Sequence, residues 1–148
     1  MKTYIVKIDD YGTKRWYLND KLHREDGPAV EYSDGTKFWY LNGNLHRTDG
    51  PAVEYASGTK EWYLNDVLHR ADGPAVEYAC GTKFWYFNGK RHREDGPAVE
   101  YADGTKFWYL NDKAYTEVDW RNQLQKVKAP CEGRLVEVDG VKYKLVEA

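Results

Sequence analysis

Four His-Arg pairs, His23-Arg24, His46-Arg47, His69-Arg70 and His92-Arg93, recur every 23 residues, and each is followed one residue later by Asp-Gly-Pro. Imidazole, guanidinium and carboxylate together could move protons, hold a metal or grip an anion. Phosphoryl transfer through His-Arg-x-Asp would also need a glycine loop over the phosphates, a Lys-Glu pair and a metal-binding Asp motif. None of these surrounds the pairs. Metal ligation fails on spacing: equivalent side chains of a sheet-forming repeat lie about 10 Å apart per two strands, whereas zinc ligands share one ion at ~2 Å. No Ser or Cys has a nucleophile-base setting, and the carboxylates occur only as repeat members. The expectation is a non-enzyme, with no cofactor and no metal site.

Recognition is the chemistry left. Arginine forks grip phosphate bidentately, and aromatic faces stack on flat bases. The residues expected to make such contacts are Arg47, Arg70, Arg91, His92 and Arg93, with Phe84, Tyr86, Tyr63 and Tyr40 beside them. The fourth unit stands out, because Arg91 and Phe87 replace leucines and Arg91-His92-Arg93 forms a cluster; residues 84–95 are the first place to look. A scaffold reading competes with this one. In it His fills the polar end of a tryptophan row, Arg bridges Glu on neighbouring strands, and Asp accepts backbone N–H groups where the chain bends. Cys80, in place of a turn Asp, reads as drift at an exposed position.

The elements that position these residues follow from the repeat. Gly12, Gly35, Gly58, Gly81 and Gly104 keep the 23-residue interval, as do Trp16, Trp39, Trp62, Trp85 and Trp108. Fifteen of the 23 positions are identical in the four full copies, so one structural unit is written four times. Each unit carries three short strands. In the second these are AVEY (29–32), TKFWYL (36–41) and NLHR (44–47), separated by Asp34-Gly35 and Asn42-Gly43. Both dipeptides suit two-residue hairpin turns with positive φ, and the Asn-Asp pairs at 19–20, 65–66 and 111–112 tolerate the same region. Asp49-Gly50-Pro51 reads as a free bend followed by a fixed φ.

Two-residue turns throughout place Val30, Trp39 and His46 opposite one another on one face. Ala29, Tyr40 and Leu45 then form a row on the other, with Glu31, Phe38 and Arg47 beside it. The Phe38 position reads Arg15, Phe38, Glu61, Phe84 and Phe107 along the chain, so it belongs near water. The Val-Trp face is the expected core, where a fully buried Trp stabilises by roughly 3 kcal/mol or more. One unit cannot bury its own rows, so neighbours must stack and the ends must be capped. TYIVKI (3–8) reads as a capping strand whose turn is one residue longer than the repeat's. Beyond the fifth Trp, Thr116 and Asp119 resemble a helix N-terminal box, and Trp120, Leu124 and Val127 share a helical stripe ended by Pro130. RLVEV-DG-VKYKL (134–145) reads as a hairpin pairing Val138 with Val141, Glu137 with Lys142 and Val136 with Tyr143, suited to covering the last sheet edge.

The unit GTKxWYLNGxLHRxDGPAVEYxD resembles the HRxDGPA-type repeats, related to MORN repeats, of proteins from tailed bacteriophages and giant viruses. The resemblance covers roughly residues 12–115, and the HG of a MORN unit is HR here. The strands and turns above predict an all-β fold, a repeated antiparallel β-meander with MORN-like sheet, and the resemblance implies a viral origin. The expected organisation is a single repeat domain over 1–148: a capping strand in 1–11, repeats in 12–115, a short C-terminal helix in 116–128 and a capping β-hairpin in 130–148.

Composition bounds the partners. With 22 basic and 24 acidic residues the net charge is −2, which argues against a dedicated nucleic-acid binder. Six Trp and thirteen Tyr argue against a disordered chain. No apolar run approaches the ~20 residues of a membrane span, and MKTYIVKIDD lacks the apolar core and cleavage site of a signal peptide. Cys80 and Cys131 suggest neither a disulfide framework nor a zinc cluster. The expected place is the host cytoplasm, away from membranes and nucleic acid. The leading expectation for function is a non-enzymatic viral binding protein that docks onto a host protein, plausibly a defence component, and blocks or redirects it. The alternative is a sponge for a nucleotide-derived immune signal, held by the Arg and aromatic ladders. A structural scaffold comes third, and pairing of two chains is left open.

Overall fold

The structure, a computed structural model, describes residues 3–128 and the strands Leu135–Val138 and Val141–Lys144, with side chains through Lys126. The main feature is a twelve-stranded antiparallel sheet whose strand order follows chain order. It begins at β1 (Ile5–Ile8) and β2 (Lys14–Leu18), adds two short strands per unit, and ends at Lys106–Leu110 and Lys113–Tyr115. The all-β meander of 23-residue hairpin units is therefore present, with one helix, α1 (Glu117–Lys128), after it.

The asparagine turns behave as expected. Asn42 and Gly43 both take positive φ, 54° and 90°, and close a two-residue hairpin pairing Leu41 with Asn44 and Tyr40 with Leu45. Asn19-Asp20 does the same without glycine, at 49° and 59°. His46 N–H then donates to the Trp39 carbonyl at 3.0 Å, so Trp39 and His46 share a face as foreseen.

The Asp-Gly turns do not have two residues. Only Gly35 is left-handed, at φ 93°. Its N–H donates to the Tyr32 carbonyl while Tyr32 N–H donates to Thr36, which closes a three-residue loop of the type I plus bulge kind. The Asp34 carboxylate accepts the Thr36 N–H at 2.8 Å and secures the first bend. The register becomes Val30 opposite Phe38 and Glu31 opposite Lys37. Because side chains alternate with period two, this one-residue slip moves the whole AVEY strand across. Val30 lies on the face of Phe38, and the expected Val30-Trp39 pairing is replaced by Ala29 beside Trp39. The turn after β1 has the same three-residue build, with Asp9 N–H donating to Thr13 and Gly12 N–H to Asp9. It is not longer than the others.

One layer of sheet thus carries two thin linings. On one face lie Ala29, Glu31, Trp39 and His46; on the other lie Val30, Tyr32, Phe38 and Tyr40. The deepest positions are the alanines Ala29, Ala52, Ala75 and Ala98, all 0 % exposed, and the adjoining valines Val30, Val53, Val76 and Val99. The five repeat tryptophans are half-buried rather than the bottom of a core.

Neighbouring units are joined across their whole width. Phe38 pairs with Val53 and Lys37 with Glu54 in the next unit. Trp39 N–H donates to Ala52, Arg47 N–H to Tyr63, and Asp66 N–H to Leu45. At the outer turn the Thr36 hydroxyl accepts the Ala56 N–H at 3.1 Å. Each slab is completed by the next one.

The C-terminal end closes differently. The Thr116 hydroxyl accepts the Asp119 N–H and donates to its carboxylate, so Thr116 caps the helix where the sequence placed its N-terminus. Trp120 is buried, and its indole N–H donates to the Arg93 carbonyl at 3.0 Å. α1 packs on the last two strands of the long sheet. The hairpin register is the expected one, Val138 on Val141, Glu137 on Lys142 and Val136 on Tyr143. It forms a two-stranded sheet of its own rather than extending the long one. Pro130, the Asp139-Gly140 turn and the Val127 side chain fall outside the described residues.

Candidate functional site

Each His-Arg-x-Asp-Gly-Pro segment builds a clamp around its own arginine. The Arg47 guanidinium lies 4.1 Å from the centre of the Trp39 ring. Its Nε donates to Asp49 at 2.9 Å, and Nη1 donates to the Pro51 carbonyl and to Glu54. Arg24, Arg70 and Arg93 repeat this on Trp16, Trp62 and Trp85 at 4.2, 4.0 and 3.9 Å. On the far side of the guanidinium lies the glycine of the bend. A Cβ built on Gly50 would meet Arg47 Cζ at 2.8 Å, and the φ of Gly50 is outside the left-handed region. The glycine therefore serves close approach rather than backbone freedom.

Burial separates the charges. The clamped arginine side chains are 19–22 % exposed, whereas Asp26, Asp49, Asp72 and Asp95 are 80–83 % exposed. Each of these carboxyls is held below the usual carboxylate range, first by its hydrogen bond from the arginine. Carboxylates, not guanidiniums, line the outside of this face.

The histidines staple successive units. His23 Nδ1 accepts the Asn42 N–H at 3.0 Å, His69 that of Asn88 and His92 that of Asn111. An accepting Nδ1 is unprotonated, which puts the neutral ring's proton on Nε2. The Asn42 side chain, 3.0 Å from the same nitrogen, must then turn its NH2 group toward it. His92 Nε2 lies 3.4 Å from Glu94.

Between consecutive clamps run open grooves floored by tryptophan. One of them, about 620 Å³, is lined by Arg70, Trp85, Phe87, His92, Arg93 and Glu94 among others. Phe87 fills its floor, 4.6 Å from His69 and 6.2 Å from His92 between ring centres.

The opposite face is rich in aromatic rings. Tyr32, Phe38 and Tyr55 meet edge to face at 5.7 and 6.0 Å. Tyr78, Phe84, Tyr101 and Phe107 form a second run of such contacts at 5.8–5.9 Å. Glu61 interrupts the row and accepts the Tyr63 hydroxyl at 3.1 Å. A second row holds Tyr40, Tyr63 and Tyr86, whose hydroxyls are pushed above the usual tyrosine range, chiefly by burial. Tyr32, Tyr55, Tyr78, Tyr101 and Phe107 remain 37–45 % exposed.

The residues expected to bind a ligand divide between these faces. Arg47, Arg70, Arg93 and His92 lie on the groove face. Arg91 lies opposite Tyr86 on the aromatic face, 4.0 Å over the Tyr109 ring and 3.0 Å from Asp112. Phe84, Tyr86, Tyr63 and Tyr40 are on that face too, so Arg91-His92-Arg93 is not one cluster in space. Sequence reasoning passed over Tyr32, Tyr55, Tyr78 and Tyr101, the open tyrosines of this face; the alternation Val-Glu-Tyr, which ties each to its valine's face, was the available signal.

Among the described residues no group of His, Cys, Asp or Glu could hold a metal ion, and no helix is long and apolar enough to cross a membrane. No protein-family model matches the chain, and no curated protein matches it either.

Proposed function

We propose that this chain is a non-enzymatic repeat binding protein that docks onto a partner protein through its tyrosine-phenylalanine face. The observation that carries this reading is two runs of half-open rings on one sheet face, Tyr32 to Tyr55 and Tyr78 to Phe107, each interlocked edge to face. Exposed aromatic patches of this kind mark contact surfaces. Tyr and Phe are enriched at protein interfaces because they bring large contact area with few rotatable bonds. The interlocking fixes the rings before binding, which lowers the ordering cost. The resemblance of the repeat to HRxDGPA-type, MORN-related viral repeats makes a host protein the partner class we infer.

The nucleotide-sponge reading has less support. Each clamped arginine already spends Nε and Nη1 on Asp, Glu and a carbonyl, which leaves no free fork for a phosphate. The grooves also present carboxylates outward, which repel anions.

Affinity capture from the cells in which the protein acts tests the proposal, with three baits: wild type, Tyr55→Ser/Tyr78→Ser, and Arg93→Ala. One stoichiometric partner should be held by wild type and Arg93→Ala and lost by the tyrosine double variant. Equal capture by all three, or thermal stabilisation of wild type by nucleotides that Arg93→Ala removes, would overturn it.

A further inference from the structure

We propose that two copies of this chain join edge to edge through β1, extending the sheet across a two-fold axis. The two ends of the long sheet are finished differently. At the C-terminal end α1 packs over the last strands, with Trp120 inserted and bonded to the Arg93 carbonyl. At the N-terminal end β1 is the last strand in the order, and all four of its residues are exposed: Ile5 51 %, Val6 47 %, Ile8 64 %, with Lys7 between them. Edge strands are normally blunted by charge, proline, a bulge or a cover. β1 contains no proline, and its pairing with β2 runs without a bulge from Ile5 on Tyr17 to Ile8 on Lys14. Its one charge, Lys7, is drawn back over its own sheet, 4.9 Å from the Tyr17 ring centre.

The occupant that fits this edge is a second β1. Continuing both faces of the sheet requires a dyad perpendicular to it, and such a dyad opposes only residues of the same face. Pairing with β2 puts Ile5 and Lys7 on the aromatic face and Val6 and Ile8 on the tryptophan face. Centring on Lys7 would set two ammonium groups directly opposite, which is destabilising. Centring on Val6 opposes Val6 to its own copy, Ile5 to Lys7, and Ile8 to Tyr4. That register uses all four residues of β1 and leaves no like charges facing. It would join the two aromatic faces into one, whatever they bind, and it does not depend on the docking proposal.

The experiment is sedimentation of the full chain over a dilution series, beside Val6→Lys, with cysteine cross-linking in a Cys80→Ser/Cys131→Ser background. Wild type should show a reversible monomer–dimer equilibrium. Val6→Lys, which places like charges on the axis, should raise the dissociation constant by about tenfold or more while keeping the wild-type circular dichroism spectrum. Val6→Cys should oxidise to a covalent dimer, because directly opposed residues sit within disulfide reach, whereas Ile5→Cys should not. A wild-type monomer at every concentration, dimerisation unaffected by Val6→Lys, or faster cross-linking of Ile5→Cys would each overturn the proposal.

Discussion

Replacing Gly50 by alanine separates two accounts of the Asp-Gly-Pro bend. Were the glycine there only for a flexible turn, alanine would be welcome, since its φ is outside the left-handed region. Restricting the unfolded chain would then stabilise by about 0.4–1 kcal/mol. In the clamp, however, the new Cβ meets Arg47 Cζ at 2.8 Å and Nε and Nη2 at 3.0 Å. The guanidinium cannot retreat, because Trp39 lies 4.1 Å behind it. Displacing it gives up a cation–π contact of about 1 kcal/mol. It also gives up the Nη1 bonds to Pro51 and Glu54, together about 1–2 kcal/mol for a part-buried group. Against the entropy gain, the net loss is about 2 kcal/mol, or roughly 4–8 °C in Tm for a chain of this length. Urea denaturation followed by tryptophan fluorescence measures it. In an Arg47→Ala background the same substitution should turn neutral or stabilising, a coupling that a double-mutant cycle isolates. A stabilising Gly50→Ala in the wild-type background, or equal losses in both, would refute the clamp.

Two further outcomes follow from the same geometry. The carboxyls of Asp26, Asp49, Asp72 and Asp95 titrate below their usual range, so their contribution is present above the unfolded value near ~3.9 and is lost as pH falls through the lower folded value. The urea midpoint should be steady from about pH 7 to 5 and drop below about pH 4, less steeply in Asp72→Asn/Asp95→Asn; an equal acid drop in that variant would contradict this. Glu61→Phe should complete the broken aromatic row between Tyr55 and Tyr78 and raise stability by about 0.5–1.5 kcal/mol, read from the same unfolding curves, and a loss would show that the Tyr63 hydrogen bond outweighs the ring contacts.

Local chemistry was legible and stacking was not. The Asn-Gly turns, the Thr116 cap and the terminal hairpin register came directly from sequence, because each is set by one or two residues acting on their own backbone. Asp34-Gly35 misled by one residue, since that dipeptide serves a two-residue turn and a three-residue bulged loop equally well. The slip moved Val30 away from Trp39. The Phe38 position, which carries Arg, Phe and Glu in different units, was read as lying near water, and Phe107 is 45 % exposed there. The role of Gly50 depends on a guanidinium three residues earlier folding back over it, a contact that no propensity scale records. The Arg-x-Asp-Gly spacing, kept in every copy, was its only trace. Arg91 parted from His92 because alternation along a strand sends neighbours to opposite sides, whereas Arg93, beyond the strand's end, folds back over Trp85.

The side-chain staples between repeat units reach 19, 20 or 21 residues ahead: His23 to Asn42, Thr36 to Ala56, Leu45 to Asp66. The junction between any two units is consequently almost the same junction. Excising or duplicating a block of 23 residues would rejoin like with like and only change how long the ribbon is. A block of 22 or 24 would turn all later side chains inside out. The chain's size is thus counted in whole rungs, and its evolution in length has a built-in step.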